Sequence, residues 1–453
     1  MKLNRRRTIC VGFAFFLICM FWQVYDTVMP IILTHKFGLS QTLSGAVMAA
    51  DNVVALFLLP VFGALSDRTH TRLGRRTPFI LVGTLVSAAL FFLLAFVDRV
   101  QLSYLSGADP TDPAHLAAAA AATAAHPGTL IFFMALLIML LFSMSVFRSP
   151  AVALMPDVTP HPLRSQANAI INLMGAAGGI VVLGLGIVFG TGREENVWMS
   201  YVTFFGVIAA LMLASLLVFM LTVREPAWAE EERKKHPVPE PDHTKRPAGG
   251  RLSAAERRSL FLILASVAFW YMGYNAVTSK YSVYAGTVLG RDYNATLIVA
   301  QAAAILSYIP VGYLASRIGR RRSILIGVAL LFASFTLCAF LDRGSPAFLS
   351  NLLFVLAGIG WATINVNSFP MAVELAGRAD VGKYTGYYYT ASMFAQIVSP
   401  VFSGIFLDMN MRTLFPYGAF FVALSFLTMF FVRHGDSRPA MKKELLEQMD
   451  VGD

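Results

Sequence analysis

Twelve stretches of this chain are apolar on every side, and short polar joints separate them. They lie near 9–34, 43–66, 78–98, 129–155, 165–191, 198–222, 259–287, 294–316, 323–342, 347–375, 384–408 and 414–433. A bilayer core of roughly 30 Å takes about 20 apolar residues per helix. The pattern therefore predicts an all-α integral membrane protein with twelve transmembrane helices. The first stretch is aromatic and has no Ala-x-Ala site, so it reads as a retained helix rather than a cleaved leader. Six stretches precede a polar break and six follow it. This gives a six-helix bundle over 1–222, a linker over 223–258, a second bundle over 259–434 and a tail over 435–453. The break, "EEERKKHPVPEPDHTKRPAGG", mixes both charge signs with Pro and Gly and has no apolar period, which predicts a flexible tether. The alanine run "AHLAAAAAATAAHPG" in the 98–128 joint predicts a short surface helix without legible chemistry.

Composition agrees with the pattern. The chain is 57% hydrophobic and 14% charged, with a mean hydropathy of +0.63, far too apolar to cover itself against water. A net charge of +10 is also a feature of nucleic-acid binders, but its placement argues otherwise. Alternating topology puts 28 of the 36 Lys and Arg on the side shared by both termini. This positive-inside bias predicts a multi-pass protein of the cell membrane with cytoplasmic N- and C-termini, and gives the charge no nucleic-acid partner. Cys10, Cys19 and Cys338 are scattered in apolar stretches with neither metal-ligand nor disulfide spacing, so no metal is expected.

The two halves repeat. "GALSDRTHTRLGRRTPFILVG" (Gly63 to Gly83) is echoed by "GYLASRIGRRRSILIG" (Gly312 to Gly327), each joining the second stretch of its half to the third. A second echo sets "SPAVALMPDVTPHPLRSQANAIINLMG" against "SFPMAVELAGRADVGKYTGYYYTASMF". In both, a Pro lies mid-helix, an acid (Asp157 or Glu374) ends the fourth helix, and a basic residue (Arg164 or Lys383) follows in the loop. Parallel six-helix repeats predict two bundles that alternate access to a site near the midplane.

Gly63, Asp67, Gly74, Arg75 and Arg76 resemble the Gly-x-x-x-Asp and Gly-Arg-Arg loop of the major facilitator superfamily. The expanded form "SDRTHTRLGRRTPF" resembles the sucrose/proton symporters and, more loosely, the glycoside–pentoside–hexuronide cation symporters. "GWATINVNSFPMAVEL" and "VGKYTGYYYTASMFAQIVSP" are similar to bacterial members of the sucrose-symporter-like group. The resemblance implies a major facilitator fold and secondary transport. Physically, Asp67 at a helix end can pair with Arg75 or Arg76, a bond worth about a kcal/mol and thus fit for a reversible gate. Asp157, Arg164 and Glu374 are gate candidates beside it. Ser316 stands where the second-half acid would be, so that copy keeps its anchors and loses its latch.

The transport chemistry should lie with polar groups inside the membrane, which are costly there and functional by default. Asp26 follows Trp22 and Gln23 in "FWQVYDTVMPIIL", on a helix that the resemblance places along the central cavity. Asp51, followed by Asn52, lies about ten residues into the second helix, near mid-bilayer at ~1.5 Å per residue. A carboxyl there can exchange its charge for a proton. Sodium-coupled relatives carry acids one and two turns further along, where this chain has Ala55 and Leu59, which favours protons and leaves sodium open. Arg148, in the fourth helix, needs a carboxylate partner, for which Asp26 or Asp51 serves. Asp26, Asp51 and Arg148 are thus the coupling candidates. In the second half Trp270, Tyr274 and Asn275, with Trp361, Asn365 and Asn367, combine aromatic faces with neutral amides. Together with Trp22, Gln23 and Asn52 they suit a neutral polyol better than an anion, which calls for paired Arg or Lys. Gln301, Gln396 and Tyr388 are read as interhelical hydrogen bonds, and Lys280 as snorkelling to the outer surface.

No enzyme motif and no Walker lysine loop is present, so neither catalysis nor a cofactor is expected. The reading is a proton-coupled symporter of a neutral, sucrose-like saccharide, complete in one chain as a monomer. The rival within transport is a proton-coupled exporter of a drug or metabolite. A non-transporting sensor is the rival of another class, disfavoured by a tail of only about twenty residues.

Overall fold

A computed structural model describes residues 3–105, 112, 114–160, 163–235, 253–374 and 381–434. Helices account for nearly all of it. They are α1 (Arg5–Ile31), α2 (Gln41–Arg68), α3 (Thr77–Ser103), α4 (His115–Ala125), α5 (Pro127–Asp157), α6 (Arg164–Phe189), α7 (Val202–Thr222) and α8 (Glu225–Lys235). Then come α9 (Ala254–Tyr284), α10 (Tyr293–Ile318), α11 (Arg320–Cys338), α12 (Ala347–Glu374), α13 (Val381–Met409) and α14 (Leu414–Phe430). Among the described residues twelve helices, all but α4 and α8, are long and apolar enough to cross a membrane.

Local chemistry sets the helix ends. The Asn4 side chain accepts from the backbone N–H of Arg7, and Ser40 accepts from that of Leu43, satisfying N-terminal donors of α1 and α2. The first helix of each half finishes in a wider turn, Ile32–Lys36 after α1 and Ala285–Leu289 after α9. Pro30 lies within α1. A proline there lacks the N–H that the Asp26 carbonyl would accept four residues earlier, so the ladder is broken beside that acid.

The chain divides into two compact units. One holds Met1–Asp242, Thr278–Ile298 and Pro400–Met409; the other holds His243–Val277, Val299–Ser399 and Asn410–Asp453. The division differs from the six-plus-six reading because α9, α10 and α13 each change unit part-way along. In the first unit α1 packs on α6, and α3 on α5 and α7; in the second α11 packs on α12 and α14. Small residues allow close approach. A Cβ on Gly178 would lie 2.5 Å from the Phe16 carbonyl oxygen, and one on Gly273 2.7 Å from that of Gly418.

One expectation changes and one is borne out. The linker is not one flexible tether: its first part is α8, with Arg7 paired to Glu231 at 2.7 Å and lying over the Trp228 ring. The centre of the linker and the tail lie outside the described residues. The alanine run does form a helix, α4, and it is docked. Gly38, at φ +64, turns the chain so closely beneath it that a Cβ would lie 2.3 Å from the Ala120 nitrogen.

Beside α4 lies an ion pair that the sequence reading missed, because Lys36 looked like a loop cation. Lys36 and Asp98 are both 0% exposed at their side chains, with Nζ 2.6 Å from the carboxylate. Nζ also donates to the Met199 carbonyl at 2.7 Å and lies over the Tyr201 ring. Gln101 donates to the Lys36 carbonyl and to Thr123 of α4. A buried pair of this kind fixes geometry, and removing one partner strands a charge. Lys36→Met should therefore lower stability by about 3–5 kcal/mol. The double change Lys36→Met with Asp98→Leu should recover most of that, read as Tm in detergent.

Candidate functional site

In the first unit the candidates share one strip. Cys19, Trp22, Gln23 and Asp26 are the half-buried positions of their stretch of α1, three or four residues apart and so on one face. Beyond them every residue from Thr27 to Phe37 is buried. Asp51 and Asn52 of α2 are half-buried, and the Asn52 amide donates to the Asp51 carboxylate at 2.7 Å. Tyr25 ties α1 to α2 here by donating to the Val47 carbonyl at 3.3 Å. Arg148 of α5 lies over the Trp22 ring, 5.1 Å from its centroid. The charges of Asp26, Asp51 and Arg148 act on one another. Yet among the described residues no ion pair within 4 Å joins Arg148 to either acid, so the direct partner expected for it is replaced by the indole face. The Trp22 ring N–H is buried with no hydrogen-bond partner among the described residues.

In the second unit Tyr274 of α9 and Trp361 of α12 stack face to face, centroids 3.7 Å apart and planes 2° apart. Tyr271 packs edge-on against Trp361 and hydrogen-bonds Tyr388 of α13, which bonds Ser368 of α12 at 2.8 Å. Asn365 is exposed and bonds Tyr308 of α10. Asn275 is half-buried beside Tyr274. Two expected ligands turn away: Trp270 is 1% exposed, in the core, and Asn367 is 2% exposed, its amide donating to the Thr363 carbonyl one turn back. Tyr271, Tyr308 and Ser368 were missed. The signal was present in the tyrosines of "WYMGYN", but a periodicity reading cannot tell which aromatic of a helix faces its neighbour and which faces a cavity. Gln396 bonds the Ser392 carbonyl of its own helix.

The charged knot is likewise built in the first unit. Arg76, 5% exposed, gathers both acids: Nε donates to Asp157 at 2.9 Å and Nη2 to Asp67. Nη1 donates to the Ser66 hydroxyl at 2.5 Å. Burial works to lower the Arg76 pKa, but the bonds to Asp157 and Asp67 outweigh it and hold the group above its ordinary value. Arg75 contributes its backbone N–H, not its guanidinium. The acceptor is Glu225 of α8, 3% exposed, whose carboxylate takes the N–H groups of Arg75, Arg76 and Thr77 at 2.7, 2.9 and 2.8 Å and the Thr77 hydroxyl at 2.7 Å. An anion at a helix N-terminus meets unpaired N–H groups and the positive end of the macrodipole, and here it caps α3. Gly63 admits the Ser149 hydroxyl, which would lie 2.9 Å from a Cβ. Arg164 donates to the Pro156 carbonyl at 2.9 Å, at the end of α5. The Glu374 side chain lies outside the described residues, as does the loop that follows it. Among the described residues no three His, Cys, Asp or Glu converge as a metal site.

Comparison with known proteins places this geometry in a family. The family model of the Major Facilitator Superfamily matches residues 11–400 and 292–448, and the chain belongs to that superfamily. It is a multi-pass membrane transporter of that class, and the class consists of transporters, not enzymes. The isoprimeverose transporter of Lactiplantibacillus pentosus is 23% identical over 372 residues, 80% of this chain and 69% of the relative. Sucrose transport protein SUC3 of Arabidopsis thaliana is 28% identical over 169 residues, 37% of this chain, and the match spans only 26% of that protein. Among solved structures, the inward-open xylose transporter XylE from E. coli is similar in fold, with a TM-score of 0.63 at 16% identity and coverage of 97% of this chain and 98% of that one.

The knot yields a prediction. Gly74 has φ +115, and a Cβ there would lie 2.4 Å from the Glu225 carboxylate. Gly74→Ala should therefore combine backbone strain with a clash, costing about 1–3 kcal/mol. Glu225→Gln should also destabilise, because one of its two accepting oxygens becomes an NH2 set against N–H or O–H donors. Thermal unfolding of the purified protein in detergent measures both.

Proposed function

We propose that the protein is a proton-coupled symporter of a neutral saccharide, of the sucrose or isoprimeverose kind. The observation that carries this reading is Trp22: Arg148 covers its ring, its N–H lacks a partner among the described residues, and Asp26 lies one turn on. A pyranose offers such a site an apolar ring face for stacking and hydroxyls for the indole N–H and the guanidinium. The stacked Tyr274 and Trp361 of the second unit supply aromatic surface of the same type, with Asn275 and Asn365 as neutral hydrogen-bonding groups. Among the described residues of either unit, the candidate strip and the aromatic stack hold no paired cations of the kind an anionic substrate calls for. The names of the relatives support a sugar as well.

Coupling follows from the electrostatics. Two acids and one arginine share the strip without a direct salt bridge, so their balance changes when a single proton arrives. With Asp26 or Asp51 protonated, less field holds the guanidinium over Trp22, and its N–H groups turn to substrate hydroxyls. Release of the sugar restores the cation to the indole and expels the proton. The gradient thus does its work through one side chain, Arg148.

The test is uptake of labelled sucrose and isoprimeverose into proteoliposomes under an imposed pH gradient, a sodium gradient, or neither. Accumulation driven by inward protons is expected. Arg148→Ala and Asp26→Asn should abolish accumulation, and Trp22→Ala should weaken uptake at least tenfold while Trp22→Phe retains part of it. Accumulation driven by sodium alone would refute proton coupling, and coupled uptake unchanged in Arg148→Ala would refute the mechanism.

A further inference from the structure

The knot holds one end of α2. The other end, at Gln41, is held as firmly by residues that no sequence motif marks. Asp408, at the end of α13, lies 367 positions along the chain from Gln41. Its carboxylate accepts from the Gln41 N–H at 2.5 Å, the Thr42 N–H at 2.9 Å and the Thr42 hydroxyl at 2.5 Å. Ser40 already caps α2 through Leu43, so Asp408 takes the two N–H groups that the local cap leaves over. Lys280 of α9 backs the joint. It is 0% exposed, not snorkelling as expected, and donates to the Gln41 carbonyl at 2.7 Å, with the Asp408 charge acting on it.

The backbones beneath are in contact. A Cβ on Gly45 of α2 would lie 2.0 Å from the Pro400 carbonyl oxygen of α13, and one on Gly404 of α13 would lie 2.6 Å from that of Gln41. Only glycine fits at either place. A second joint ties the end of α6 to the start of α10: Asn294 donates to the Thr191 hydroxyl at 3.1 Å, and that hydroxyl bonds Tyr293 at 3.0 Å. A Cβ on Gly186 would lie 2.4 Å from the Asn294 side chain. Over the same end of α1 every residue from Thr27 to Phe37 is buried, whereas the strip from Cys19 to Asp26 is half-buried.

We propose that Asp408 is the releasable latch of this end, holding the N-terminus of α2 against α13, with Lys280 as its buried counter-charge and the Gly45–Gly404 crossing as its bearing surface. The partners suit release. Asp408 is exposed, and the backbone N–H groups it holds are ones that water satisfies equally once the helices part. Lys280 remains attached to α9 and keeps the crossing attractive to the carboxylate when it returns. The proposal does not depend on the identity of the substrate or the coupling ion.

Accessibility tests it. In a variant lacking Cys10, Cys19 and Cys338, a reporter cysteine replaces Gln23, and a membrane-impermeant maleimide is applied from the side at which α2 begins. Asp408→Asn keeps an acceptor and removes the charge. It should raise the labelling rate from that side about fivefold, the scale of one carboxylate at a helix N-terminus, while Asp408→Glu should raise it less. Thr42→Val removes one of the three bonds without touching the charge and should raise labelling about twofold, in line with one hydrogen bond at the lower end of its net worth. If Asp408→Asn fails to reach the membrane, Thr42→Val decides alone. Labelling unchanged in the variants that do insert would overturn the latch.

Discussion

The cost of placing a charge where water cannot follow governs this transporter. The chain meets that cost in two ways, and the difference separates scaffold from site. Arg76 holds two carboxylates and a hydroxyl, Lys36 holds Asp98 and a carbonyl, and Glu225 holds three backbone N–H groups and a hydroxyl. These charges are saturated, and each ties together segments distant in sequence. Arg148, Asp26 and Asp51 are held differently. The arginine lies on an aromatic face, Asp51 has one amide, and among the described residues no salt bridge closes the set. A saturated knot resists change, whereas an unsaturated cluster responds to a single proton or hydroxyl.

The same contrast appears along α2. At one end Asp67 joins the Arg76 knot; at the other, the helix N-terminus takes Asp408. Between them lie Asp51 and Asn52. Each end of α2 is thus fixed by a carboxylate, and the proline inside it, Pro60, lies between the two anchors. Pro30 likewise interrupts the hydrogen-bond ladder of α1, beside Asp26.

Much of this was legible in the sequence, and the rest was hidden for physical reasons. Twelve spans follow from apolar length alone, and the Gly63–Arg76 motif identified both the knot and the superfamily. Trp22, Gln23 and Asp26 were singled out because three polar or aromatic groups at helical spacing in an apolar helix are expensive. Glu225 was hidden in a charge-rich linker, where one carboxylate looks like any other until a backbone is seen to bind it. Lys36 and Asp98, 62 positions apart, each looked like an ordinary loop-end charge. Trp270 and Asn367 were misplaced because helical spacing gives a face but not its direction, and a one-residue rotation separates core from cavity.

The central claim of the proposed function is that proton entry into this cluster accompanies uptake of a neutral sugar. The direct measurement is the charge moved when sugar is added to sodium-free proteoliposomes adsorbed on a capacitive electrode. The account predicts a sugar-evoked inward positive current in the wild-type protein, and its loss when Asp26 and Asp51 are both changed to Asn. Sugar uptake with no charge movement, or a current that survives the double change, would contradict it.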